Sequence, residues 1–131
     1  MPRAEHVEVI RAGRSASVRR LSDQAEFKST CGFRRDLTPA VAGEPLWFHY
    51  LRIRDAHKHS HRRTTEYYFV VEGAGFIDLD DERVAIGKGD LIVIPPGTRH
   101  DAIPGDDGDL QVLIVAVPDP SDDQQDEDYY D

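Results

Sequence analysis

Residues 57–73 read His57-Lys-His59-Ser-His61-Arg-Arg-Thr-Thr-Glu66-Tyr-Tyr-Phe-Val-Val-Glu-Gly73, which gathers three of the chain's six histidines within five residues and follows them with an acid and a β-prone run. In an extended chain, side chains two apart share a face, so His59 and His61 point the same way and offer two imidazole nitrogens to one ion. Glu66 lies five residues beyond His61, an odd spacing that would turn it to the opposite face of an unbroken strand. A turn over 62–65 therefore intervenes, and Glu66 opens a strand on which Glu66, Tyr68 and Val70 share a face. A second stretch, Gly89-Asp-Leu-Ile-Val-Ile-Pro95-Pro-Gly97-Thr-Arg-His100, ends on a histidine behind a stiff loop that can return a side chain to the interior. Three imidazoles and one carboxylate then converge: His59, His61, Glu66 and His100.

Working outward, the chain from Pro45 to Val117 breaks into short runs rich in aromatic and β-branched residues, separated by Gly, Pro and Asp. The strands expected are LWFHYLRI, EYYFVVE, GFIDL, RVAI, LIVI and LQVLIVAV, with residues 59–61 a shorter extended piece. Asp80-Asp81 reads as a tight hairpin turn, since Asp tolerates the left-handed backbone such turns require. Pro95-Pro96-Gly97 must be a loop, because two successive residues without an N–H cannot serve a central strand. No helical period and no internal repeat runs through this part. The class is all-β, with strand spacing that suits a sandwich or barrel.

The two quoted stretches resemble the two motifs of the cupin superfamily. The first is His-x-His, four residues, Glu, six residues, Gly, carried here by His59, His61, Glu66 and Gly73. The second is Gly, five residues, Pro-x-Gly, two residues, His, carried here by Gly89, Pro95, Gly97 and His100, and fifteen residues separate the two. Ile53 stands where a glycine often precedes the first motif, and Pro104 where an asparagine often follows the second; neither is a ligand position. The resemblance covers about Leu46 to Val117 and implies a double-stranded β-helix, or jelly roll, with one divalent metal at the barrel mouth. Gly73, Gly75, Gly87, Gly89 and Gly97 read as turn residues.

The rest of the sequence bounds what surrounds this site. The expected organisation is an N-terminal extension over 1–30, a barrel over 31–118 and a flexible tail over 119–131. VEVIRA and ASVRRL are short strands in the extension, and SDQAEF is a helical turn. The net charge of -9 is concentrated in the tail, which holds seven acidic residues, no basic one and almost no aliphatic side chain to bury. Its Tyr129 and Tyr130 are free to dock on a neighbour. The remainder of the chain is near -2, a balance that argues against nucleic acid, whose phosphates select a basic face. No apolar run approaches the roughly 20 residues that cross a bilayer, and charge interrupts the N-terminus as it does not in a secretory leader, so a cytoplasmic location is expected. The single Cys31 excludes an internal disulfide and a thiolate cage, which leaves nitrogen and oxygen to hold any metal.

Three imidazoles and a carboxylate suit Fe, Mn, Zn, Ni or Co as divalent ions and leave up to two octahedral positions for a small molecule or oxygen. The sequence leaves open a redox dioxygenase, a Lewis-acid isomerase or lyase, and a non-catalytic barrel that binds a small molecule or senses the metal. Tyr68 and His57 are the candidates for catalytic groups beside the ion. The alternative for Tyr68 is core packing, and for His57 a solvated loop. Arg52, Arg54, Lys58, Arg62 and Arg63 either draw an anionic substrate or form an ordinary solvated rim. A homodimer paired through barrel-edge strands is expected.

Overall fold

In the computed structural model, the described residues are 4–29, 32–39, 43–54, 59–60, 64–118 and 129–130. The organising element is β7 (Thr64–Leu79), one 16-residue strand where the sequence suggested two. Its first half pairs with β9 (Leu91–Ile94) on one side and β11 (Leu110–Pro118) on the other. Its second half pairs with β8 (Glu82–Gly87) and β10 (His100–Pro104).

The change of partners falls at Gly73–Gly75, where the chain bends from one sheet into the other. Gly73 has φ +85°, and a Cβ there would run into the Asp109 carbonyl oxygen; a Cβ on Gly75 would meet that of Ile103. Both positions therefore require glycine. Just before the bend, the register against β11 skips Val71, a β-bulge that flips the inward parity from Glu66, Tyr68 and Val70 to Gly75 and Ile77. The bend and bulge keep both halves of one strand facing one interior.

The remaining strands extend these two walls. On one side β11 leads to β5 (Trp47–Ile53), then β4 (Gly32–Asp36), then β3 (Phe27–Ser29), all antiparallel. On the other, β10 leads to β6 (His59–Ser60) and β12 (Tyr129–Tyr130). A separate hairpin, β1 (Ile10–Ala12) with β2 (Ala16–Val18), precedes a 3-10 turn at Leu21–Asp23. The result is the all-β jelly roll that the two motifs imply. Asp80 and Asp81 form the two-residue turn between β7 and β8, with Asp80 at φ +53°.

Leu51, Ile53, Val70, Ile77, Ile94, Leu110 and Val112 fill the interior. Burying each such side chain contributes about 1.5–3 kcal/mol. Ile53, the position at which the sequence departs from the glycine often preceding the first motif it resembles, is completely buried in that core.

Four strands escaped the sequence reading: β3, β4, β10 and β12. β10 (HDAIP) and β4 (GFRRD) are poor in β-branched residues, so local propensity does not announce them; their partners on β7 and β5 hold them extended. β3 lies within the segment read as an extension and joins the sheet beside β4. Within the tail segment, Tyr129–Tyr130 pair with Ser60 and His59 of the same chain and cover an edge of β6 that would otherwise present open N–H and C=O groups. Residues 119–128 and 131 lie outside the described residues.

Candidate metal centre

Glu66 lies on the buried face of β7, two residues after Thr64, and is 7% exposed; His100 opens β10 and is 1% exposed. The turn closed by Thr98 N–H donating to the Pro95 carbonyl, 3.3 Å, carries the chain from β9 into β10. His100 and Glu66 meet inside the barrel with Nε2 and Oε1 3.0 Å apart. The other ring nitrogen of His100, Nδ1, lies 2.9 Å from the Thr98 carbonyl oxygen. A carbonyl only accepts, so Nδ1 carries the proton and donates, and in the neutral ring Nε2 turns its lone pair toward a carboxylate oxygen. Two acceptors facing at 3.0 Å repel unless a positive charge lies with them. A proton making His100 an imidazolium would serve, and so would a cation held by both.

The backbone brings the first motif to the same place. His59 on β6 stands opposite His100 on β10 in register. The His59 side chain, His61 and His57 lie outside the described residues, as do Lys58, Arg62 and Arg63. Among the described residues, no three His, Cys, Asp or Glu side chains form a cage by themselves. Of the four expected ligands, the structure thus joins Glu66 and His100 through their side chains and sets His59 beside them through its strand.

Tyr68 shares the inward face with Glu66, as its two-residue spacing predicts. It is 3% exposed, belongs to the apolar core and meets the His100 ring edge to face, with centroids 5.9 Å apart and planes at 88°. Its ring packs against the His100 imidazole. Of the basic cluster, Arg52 forms a two-pronged pair with Glu26 at 2.9 and 3.0 Å and covers the Phe33 ring, while Arg54 donates to the carbonyls of Ile53 and Gly108. These two arginines are structural rim residues.

The sequence reading missed a second polar group in the interior. Asp36 on β4 and His49 on β5 stand opposite in register, and Asp36 Oδ1 lies 2.9 Å from His49 Nδ1 and 2.8 Å from Arg34 Nε. Ala4 N–H also donates to the Asp36 carboxylate, 2.6 Å away. All three side chains are buried. Burial alone would raise the Asp36 carboxyl, but the His49 bond, the charges of His49 and Arg34 and the Ala4 N–H hold it below its ordinary value. Burial pushes His49 down, and the charge on Arg34 does so too, against the smaller upward pull of Asp36 and Glu66. The signal was present in WFHYLRI, where His49 shares parity with Leu51 and Ile53.

Residues 53–116 match the Cupin domain family, so the chain carries a cupin domain. An uncharacterized protein of Methanocaldococcus jannaschii is 37% identical over 60 residues, 46% of this chain; the match spans about half, 48%, of that relative. A crystallised protein from Planctomyces limnophilus superposes with a TM-score of 0.72 at 26% identity, over 86% of this chain and 95% of its own. Two further solved structures share the fold at 18% identity. Pac13 of Streptomyces, described as a nucleoside dehydratase and also solved with uridine, has a TM-score of 0.64 over 86% of this chain and 91% of its own. The Bacillus subtilis oxalate decarboxylase, with Mn(II) centres, has a TM-score of 0.63 over 81% of this chain and 30% of its own.

Proposed function

We propose that this cupin holds one divalent metal through His59, His61, Glu66 and His100 and binds a small molecule beside it in the barrel. The observation that carries the reading is the opposition of Glu66 Oε1 and His100 Nε2 at 3.0 Å, with the His100 proton committed to Thr98. Such a pair of buried acceptors suits a cation, and the nitrogen and oxygen donors suit Mn, Fe, Co, Ni or Zn. A bound ion would supply Lewis acidity and, if iron or manganese, redox capacity. The chain's own residues do the rest. Thr98 fixes the tautomer of His100, the Tyr68 ring fixes its plane, and the apolar floor formed by Ile92 and Ile114 excludes water.

The reactions of the two fold neighbours, a decarboxylation and a dehydration, favour lyase or isomerase chemistry over simple storage, and a dioxygenase remains within the same donor set. A homodimer belongs to the same reading. Tyr67 and Val93, and Phe69 and Leu91, are cross-strand pairs whose side chains stand exposed on the outer face near the β9 edge. Sedimentation velocity tests it: two copies are expected, and a monomer at micromolar concentration would refute it.

Elemental analysis of protein purified without added metal tests the central claim, beside a His59→Ala/His61→Ala variant. One ion per chain, lost in the variant, is the expected result. No ion in the parent even after incubation with Mn(II), Fe(II) or Zn(II) would refute it.

A further inference from the structure

The buried Arg34–Asp36–His49 group has no part in the proposed metal site, yet it faces the same interior. On the inner face of the sheet, His49, Ile114, Tyr68 and Ile92 form one row across β5, β11, β7 and β9, and Trp47, Ala116, Glu66 and Ile94 form the next. His49 is thus one row deeper than Glu66, with only β11 between their strands. Toward the other end of the sheet, the neighbouring inward residues are Leu51, Val112 and Val70, all apolar and buried. His49 sits where the apolar floor ends.

Its chemistry is set by what it already holds. A carboxylate accepts only, so His49 Nδ1 is the protonated nitrogen and donates to Asp36. Arg34 is bound to the same carboxylate, so its positive charge offsets that of Asp36. Among the described residues, none is bonded to Nε2. Neutralising the Asp36 charge with Arg34 while using Asp36 to hold the ring is more than a buried histidine needs for packing; it orients one lone pair.

We propose that His49 is a second functional imidazole of the barrel, fixed by Asp36 and Arg34 so that its Nε2 accepts a proton or hydrogen bond from a hydroxyl-bearing small molecule seated beside Glu66. The inference rests on the reading that a small molecule enters the barrel, though not on which ion is bound. A neutral lone pair in an interior that Glu66 also lines selects a donor such as an alcohol, enol or water over a free carboxylate. Acceptance moves one proton from the ligand oxygen to Nε2, and the imidazolium so formed keeps its Nδ1–H on the Asp36 carboxylate, which balances its charge.

The test uses the wild-type protein and diethyl pyrocarbonate, a small acylating reagent that attacks the free lone pair of imidazole. Trypsin reports the outcome residue by residue, since the peptide 36–52 carries only His49 and the peptide 4–11 only His6. His49 is expected to react within about tenfold of the exposed His6, whereas a ring reachable only through unfolding would lag by roughly 1,000-fold or more. A lag beyond about 100-fold overturns the proposal. Nitrogen-15 NMR of histidine-labelled protein gives the second reading, with the His49 signals assigned by their loss in His49→Gln. Protonation at Nδ1 is expected, and protonation at Nε2 overturns the proposal. Metal content measured on the same preparation separates the two ideas: a protein without an ion but with reactive His49 defeats the metal reading alone, and one with a full ion but an inert His49 defeats this one alone.

Discussion

The inner face of one sheet has two ends built on the same alternation with opposite materials. At one end the inward positions of β5, β7 and β11 are Leu51, Ile53, Val70, Leu110 and Val112, with only Arg34 of β4 charged among them; at the other, Asp36, His49, Thr64 and Glu66 lie among Ile114, Ala116 and Tyr68, and His100 closes in from the facing wall. Burial is as deep at both ends: Ile53 and Leu110 are 0% exposed, Asp36 and His100 1%. The difference shows that strand parity decides what is inside, while chemistry decides where the fold accepts a cost. Buried charge is tolerated at Asp36 because its carboxylate meets Ala4 N–H, His49 and Arg34 at 2.6–2.9 Å, whereas Glu66 and His100 face each other as two acceptors and call for a cation.

The contrast breaks most sharply if one polar partner is removed. Asp36→Ala strands Arg34 and His49 in the interior and should lower the unfolding free energy by about 3–5 kcal/mol in urea titration. A loss under about 1 kcal/mol would show that water reaches the polar end freely. Second in size is the effect of the ion. Mn(II) at roughly 100 times its dissociation constant should raise stability by about 2.7 kcal/mol, read from thermal melts, and should do nothing for the His59→Ala/His61→Ala variant. At the apolar end, Ile53→Val removes one methylene and should cost about 0.5–1.5 kcal/mol with metal content unchanged.

The smallest effect is a pH dependence confined to the polar end. His49 is held below its ordinary value, so the unfolded chain takes the proton first, and this part of the stability falls as pH drops below about 6.5. Asp36 is also held low, and its share, present above an ordinary carboxyl value of roughly 4, falls as acid approaches the lower folded value. His49→Gln should abolish the first decline and leave the second; a first decline that persists would assign it to another group.

Which features were legible in the sequence follows the same division. Strands with β-branched alternation were readable, and so was the shared face of Glu66, Tyr68 and Val70, because period and propensity agree there. His100 was readable only through the spacing of a motif, since its place beside Glu66 depends on β10, whose sequence looks like loop. Asp36 and Arg34 were unreadable for a related reason. In Gly-Phe-Arg-Arg-Asp the charges argue for solvent, and only pairing across β4 and β5 shows that Arg34 and Asp36 point inward while Arg35 does not. The bulge at Val71 was hidden as well: Val71 keeps the β-prone texture of its neighbours, while the parity changes through a register step that no local composition marks.

One consequence follows from β7 running through both walls. Since a single uninterrupted segment supplies backbone partners to β9 and β11 at one end and to β8 and β10 at the other, the barrel has no seam along which its halves can part. Amide protons at Val70 and Ile77, seven residues apart in different walls, should therefore exchange with deuterium at one common slow rate set by opening of the whole molecule.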